Sequence, residues 1–241
     1  PPDASAAACP PRELTPKRVG APRPAQRGWF GDSQSEALYS RALQTLGRDA
    51  EICELDIAFL DEAASLLYSG PWVAERAAAL APVLAANPEA IDATVRAVVA
   101  PGLDISAVEL FNGIYRLAEL QRGAEEMWAS VDMPAFPTTG TTYRVAELEA
   151  APVALNSNLG LYTNFVNLLD MAAIAVPAGA RANGTGFGIT LIGPAGSATG
   201  LMDAAASYLA NAALPAHPAP PPEGRMGTVQ LAVAVPHSHN T

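Results

Sequence analysis

The chain has 241 residues, half of them hydrophobic and only 16% charged, with a net charge of −10 and a pI near 4.7. That length can bury a sizeable core, and that composition argues against a disordered middle. Thirteen of the cations are arginines and one is lysine, Lys17, against 24 acids. Without clustered cations there is no surface to track phosphates, which disfavours nucleic acid as a partner. No apolar run approaches the roughly 18–20 residues a membrane span needs, so no membrane role is expected.

In chain order, residues 1–16 are rich in Pro and Ala and read as a loop. A short strand is expected at 18–21, closed by Pro22 and Pro24. Leu38, Ala42, Leu43 and Leu46 share a stripe, which predicts an amphipathic helix over 35–46 with Asp32 or Ser33 as its cap. Over 51–57, Ile52, Cys53, Leu55 and Ile57 are set against Glu51, Glu54 and Asp56, the pattern of a half-buried strand. Helices follow at 58–68, 71–86, 88–99 and 104–129, punctuated by Pro71, Pro82, Pro88 and Pro101. The last carries Ile105, Val108, Leu110, Ile114, Leu117 and Leu120 as an apolar stripe, weakened slightly by Gly113 and Gly123.

Residues 131–139 suit a buried strand running into a loop, and 145–154 one or two helical turns. Leu161, Phe165, Leu168 and Leu169 fall close to helical spacing over 161–171. The run AAIAV at 172–176 reads as a strand buried on both faces, and 187–192 as another. The two should be adjacent, Ile174–Val176 beside Gly188–Leu191, joined by a turn near 183–186. A helix is expected over 202–213, then a Pro-rich linker and a terminal strand in 214–241. Strand and helix alternate as in an α/β layer, with one globular unit over 17–213.

Chemistry is sparse. Cys9 and Cys53 give neither metal spacing nor a disulfide framework, as expected of free thiols in a cytoplasmic protein. His217, His237 and His239 all lie in the tail, so no Ser-His-Asp arrangement can be argued, and an HxH alone is a weak metal motif. GxSxG and P-loop motifs are absent, and Gly184, Gly186 and Gly188 suit a tight turn better than a dinucleotide fingerprint. No metal or other cofactor is implied. Pairs such as Asp61–Glu62 and Glu125–Glu126 read as solvated helix faces. In LLYSGPWVAER, Tyr68 ends one helix and Arg76 lies about a turn and a half into the next. A guanidinium can hold a carboxylate with two parallel bonds, and a phenol can add a third. A surface arginine beside Glu75 is the other reading of the same residues.

The block PTTGTTYRVAELEAAPVALNSNLGLYTNFVNLLDMAAIAVPAG, at 137–179, and GTGFGITLIGPAGS, at 184–197, resemble the late part of an amidase-signature enzyme. The closest resemblance is to the amidase domain of allophanate hydrolase. RVGAPRP, WFGD, LLYSGPWVAER and FNGIYRLAELQRGAEEMWASVD are similar at matching places, so the likeness runs from about residue 18 to about 196. It implies the C-terminal half of the amidase-signature fold, a mixed β-sheet covered by helices. It also implies a role in hydrolysing the C–N bond of allophanate during urea degradation. Carried over onto this chain, Arg76 would grip the substrate carboxylate and Tyr68 its amide part.

The family's nucleophilic serine, bridging serine and lysine base belong to an earlier Gly/Ser-rich stretch and an earlier lysine, so no catalytic residue is assigned here. Ser65, Ser69, Ser157 and Ser197 are not in a GGSSG or GSDTGGS setting, and Lys17 does not match the catalytic lysine. Smaller departures are PTTGTTY, where the family prefers Ala-Pro after the first Thr, and GTGFG, where a Pro commonly precedes the aromatic. VQLAVAVPH resembles the strand that opens a separate C-terminal domain. The expectation is therefore a substrate-binding wall that an N-terminal half would complete, inactive alone. Its exposed sheet edge would suit a partner or a homo-oligomer. The alternative is a non-catalytic relic or interaction module with an amidase-like half fold.

Overall fold

The computed structural model describes residues 10–68, 70–212 and 214. Its elements run β1 (Arg18–Pro22), α1 (Ser33–Leu46), β2 (Glu51–Leu55), α2 (Ala58–Tyr68), α3 (Trp72–Ala86), α4 (Ala93–Val99) and α5 (Ala107–Ser130). Then come β3 (Met133–Pro137), α6 (Val145–Ala150), α7 (Pro152–Gly160), β4 (Met171–Ala180), β5 (Gly186–Pro194) and α8 (Ala198–Asn211). Five strands form one sheet in the order β2-β1-β3-β5-β4. The β2, β1 and β3 strands are parallel, whereas β5 runs antiparallel to both β3 and β4. The mixed α/β class is therefore that expected.

The β4–β5 hairpin has Ile174 opposite Leu191 and Val176 opposite Ile189, as the two apolar runs predicted. Its turn is closed by Arg181 N–H donating to Thr185 O and Gly184 N–H to Arg181 O, with Gly184 at φ +84°. That left-handed backbone is easy only for glycine.

Helices cover the sheet on two sides. On one, α1 and α8 bring Leu38, Tyr39, Ala42, Leu201, Ala205 and Tyr208 onto Val19, Met133, Ala135, Ile189 and Leu191. On the other, Leu60, Leu120, Met127, Tyr162 and Phe165 pack onto Leu55, Val131, Phe136 and Ile192. Alternation along β3 sends Met133 and Ala135 to the first side and Phe136 to the second. Phe136 is fully buried between the rings of Tyr162 and Phe165, at 6.3 and 6.0 Å between centroids. Burying such a ring stabilises the fold by about 1.5–3 kcal/mol.

Several local expectations need correction. β4 is not buried on both faces: Val176 and Ala178 are buried, whereas Ala173, Ala175 and Pro177 are exposed on the other side of this edge strand. In β2, Cys53 and Leu55 face the α2–α5 side, but Ile52 points the opposite way and stays 36% exposed. Neighbours in a strand cannot share a face, so only one of Ile52 and Cys53 could be inward. The 88–99 helix is a single 3₁₀ turn at Pro88–Ala90 followed by α4, which Asp92 caps through Thr94 N and Val95 N. Residues 161–170 form a run of turns rather than a helix, although Tyr162, Phe165, Leu168 and Leu169 are buried. The stripe of α5 is buried only in its second half: Leu120, Ala124 and Met127 pack on the sheet, while Val108, Phe111 and Ile114 are exposed.

Residues 10–16 form no helix or strand, yet Leu14 packs against the α8 core and Arg12 N–H donates to Gly196 O. The expected linker and terminal strand at 215–241, with His217, His237 and His239, lie outside the described residues. Among the described residues no single helix is long and apolar enough to cross a membrane. Residues 93–104 and 107–130 pass that test only as a pair, and they are bent by 104°.

Candidate functional site

Tyr68 closes α2 and Arg76 lies in the second turn of α3, across the Gly70–Pro71 break. Arg76 reaches back over that break, and its Nη1 donates to Leu67 O at 3.2 Å. The last carbonyls of a helix have no partner within it, so a cation is favourable there. The guanidinium carbon sits 4.9 Å from the centre of the Tyr68 ring, within cation–π range. The turn is held from outside by α5, where a Cβ on Gly113 would fall 2.2 Å from Pro71 Cγ. Only glycine lets α5 approach so closely, which is a packing reason for a residue that weakens a helix.

Both side chains line an open cavity of about 1010 Å³. Its other walls come from α4, the turn at 101–105, Glu109 of α5, α7 and Asn164. The loop after Pro137 does not line it, whereas Asn156 and Ser157 of α7 do. Arg76 is half-buried and Tyr68 half-exposed. Among the described residues no carboxylate lies within 4 Å of the Arg76 guanidinium, and its one hydrogen bond leaves most of its five donors open. The Tyr68 hydroxyl has no protein partner among the described residues either. No ion pair joins Arg76 to Glu75. The site thus offers a cation and a phenol among mostly apolar walls, with the Glu109 carboxylate, held by Ser106 N and Oγ, on the same lining.

Ser65, Ser157 and Ser197 are each bonded to a backbone carbonyl. Ser157 lines the cavity but its Oγ donates to Val153 O at 2.9 Å. Ser65 and Ser197 likewise donate to Glu62 O and Pro194 O, and Ser69 lies outside the described residues. Lys17 is exposed and lines no part of the cavity. No cluster of three or more His, Cys, Asp or Glu that could hold a metal occurs among the described residues.

Two groups, Arg181 and Asn164, are not singled out by the sequence, and a third, Asp61, is not the solvated helix-face residue expected. Arg181 is 5% exposed and donates through Nε to Asp32 at 2.9 Å, through Nη2 to Ser35 Oγ at 2.7 Å, and through Nη1 to Gly186 O. Desolvation works to raise the Asp32 pKa, but the Ser35 N–H, the Ser35 hydroxyl and Arg181 outweigh it and hold the carboxyl below its ordinary value. This network ties the hairpin turn to the start of α1. Asp61 has a buried oxygen with no hydrogen-bond partner, and desolvation, then the charge of Asp56, raises its pKa. Asn164 joins the cavity wall from the run of turns. Its signal was hidden because that stretch was read for its apolar residues alone.

Comparison with known proteins identifies the family of the chain. The family model described as Amidase matches residues 2–202. The chain belongs to the amidase family. This amidase chain is 37% identical over 186 residues to the urea amidolyase of Saccharomyces cerevisiae, covering 76% of the chain and 10% of that protein. It is 34% identical over 201 residues to the urea amidolyase of Lachancea kluyveri, covering 82% and 11%. A solved structure of Kluyveromyces lactis allophanate hydrolase superposes with a TM-score of 0.80 at 34% identity, covering 85% of this chain and 34% of that one. The chain therefore spans about a tenth of the curated relatives it matches and about a third of that solved chain.

Proposed function

We propose that this chain supplies the substrate-binding wall of an amide hydrolase acting on allophanate, in the breakdown of urea to ammonia and carbon dioxide. Residues 17–213 are its part of the amidase domain, and the serine nucleophile and lysine base come from polypeptide outside it. The observation that carries this reading is the Arg76 guanidinium, stacked on Tyr68, open to the cavity and without a carboxylate partner among the described residues. Allophanate has a carboxylate at one end and a primary amide at the other. Arg76 binds the carboxylate with two parallel N–H···O bonds, and the Tyr68 hydroxyl donates to the amide part. The names of the relatives, urea amidolyase and allophanate hydrolase, favour that substrate.

Chemistry follows from the division of labour. A serine hydroxyl is a weak nucleophile until a base takes its proton, and the developing oxyanion must meet fixed N–H donors. A wall that fixes the carboxylate turns the scissile carbonyl toward those groups and contributes orientation rather than bond breaking.

The test uses the enzyme completed by its Ser/Lys-bearing part. Arg76→Ala should lower kcat/KM for allophanate by about 2–4 kcal/mol, the scale of leaving a charge unpaired in a site. The loss should be smaller for an amide that lacks the carboxylate. Arg76→Lys should recover only part of it, because an ammonium is a point charge where a planar fork is needed. Equal losses on both substrates would make Arg76 structural and overturn the substrate assignment.

A further inference from the structure

The cavity that holds Arg76 and Tyr68 contains a second polar feature, and it rests on a glycine. Asn164 follows α7 by four residues, and its N–H donates to Gly160 O at 3.0 Å. Its carboxamide then lies back against the Gly160 Cα. A Cβ on Gly160 would fall 2.4 Å from Nδ2, 2.5 Å from Oδ1 and 2.7 Å from Cγ. No L-residue with a side chain permits that placement. The Gly160 backbone is not in the left-handed region, so conformational freedom is not why glycine is there.

The carboxamide has no hydrogen-bond partner among the described residues, and it lines the cavity. Several neighbouring polar groups are engaged by the protein. Asn156 Nδ2 donates to Pro152 O, Ser157 Oγ donates to Val153 O, and the Glu109 carboxylate accepts from Ser106 N and Oγ. A planar group presenting one donor edge and one acceptor edge matches a primary amide, which presents the same pair reversed.

We propose that Asn164 is a specificity-determining residue that reads the amide end of the ligand whose carboxylate Arg76 holds, and that Gly160 positions it. This rests on the assignment of Arg76 to the carboxylate. The two residues divide a short ligand between them: the cation fixes one end, and the carboxamide rejects ligands whose other end lacks N–H donors. Sites built to hydrogen-bond a ligand group discriminate strongly against analogues without it, because their own polar atoms are then left unpaired.

The test is calorimetric titration of the full chain with malonamate, which carries one carboxylate and one primary amide, and with N,N-dimethylmalonamate, which has no amide N–H. The chain should prefer malonamate by about five- to tenfold, the scale of one or two hydrogen bonds. In Asn164→Ala the ratio should fall to about one. In Gly160→Ala, where the new methyl displaces only the flexible end of Asn164, the ratio should fall likewise while malonamate still binds. Arg76→Ala should weaken both ligands together and leave their ratio intact. If Arg76→Ala changes neither affinity, the carboxylate assignment fails, and the ratio still judges Asn164. A preference that survives Asn164→Ala, or no preference in the unaltered chain, overturns the proposal.

Discussion

Three arginines among the described residues lie over aromatic rings, Arg27 over Tyr39 among them, and the other two, Arg181 and Arg76, are held very differently. Arg181 lies 5.6 Å from the centre of the Phe187 ring, 5% exposed, with Asp32, Ser35 and Gly186 taking its donors. Arg76 lies 4.9 Å from the Tyr68 ring, half-buried, with one carbonyl on one of its nitrogens and a cavity in front of the rest. The two differ both in burial and in whether the protein itself completes the hydrogen-bond shell, and under the proposed function the second difference is what leaves Arg76 for a ligand. A shell closed by the fold costs stability when broken, and a shell left open costs binding.

The sharpest way to break this comparison is to delete each side chain. Arg181→Ala should destabilise the chain by about 2–4 kcal/mol in urea titration, since it removes the ion pair to partly buried Asp32 and the bonds to Ser35 Oγ and Gly186 O. Arg76→Ala should cost no more than about 1 kcal/mol, because only a half-exposed bond to Leu67 O and the ring contact are lost. Similar losses at the two positions would mean that Arg76 is also a structural residue.

Acid sharpens the same contrast. Asp32 and Asp132 both titrate below the ordinary value of 3.8, each pulled upward by desolvation but held down by N–H groups and an arginine, Arg18 in the case of Asp132. A depressed folded pKa contributes stability that is complete above the unfolded pKa and is lost as pH falls through the folded one. Thermal stability should therefore fall from about pH 4 downward. Arg181→Ala should flatten that fall, whereas Arg76→Ala should leave it unchanged.

The smallest effect concerns Asp61, whose raised pKa has the opposite sign. Its charge opposes folding above the folded pKa, and the penalty is relieved as pH falls through that value. Asp61→Asn should raise Tm at pH 7, with the gain vanishing toward pH 3. A lower Tm at pH 7 would show that the charge has a partner in solution.

Much of the architecture was legible in the residues. Short apolar runs bounded by Pro and Gly, with one alternating stretch at 51–57, located all five strands, and helical spacing located most helices. The misses have one physical origin: a pattern reports that a residue is apolar, not that something covers it. AAIAV reads as doubly buried, yet β4 is an edge strand with Ala173 and Ala175 uncovered. Phe165, Leu168 and Leu169 are buried as their spacing suggests, but on turns rather than on a helix, and Tyr162 rather than Leu161 is the residue buried beside them. The pair Tyr68–Arg76 was legible as a helix break that brings two residues together. Arg181 and Asn164 were not, since the first finds its partners almost 150 positions away and the second depends on a missing Cβ at Gly160.

The most direct measurement titrates malonamate and malonamide, which differ in a carboxylate, against the unaltered chain and Arg76→Ala. The unaltered chain should bind malonamate at least about 30-fold more tightly, the equivalent of about 2 kcal/mol. Arg76→Ala should bring the two ligands to within about twofold of each other. A chain that binds both ligands alike, or a preference that persists without Arg76, would contradict the assignment of this guanidinium to the substrate carboxylate.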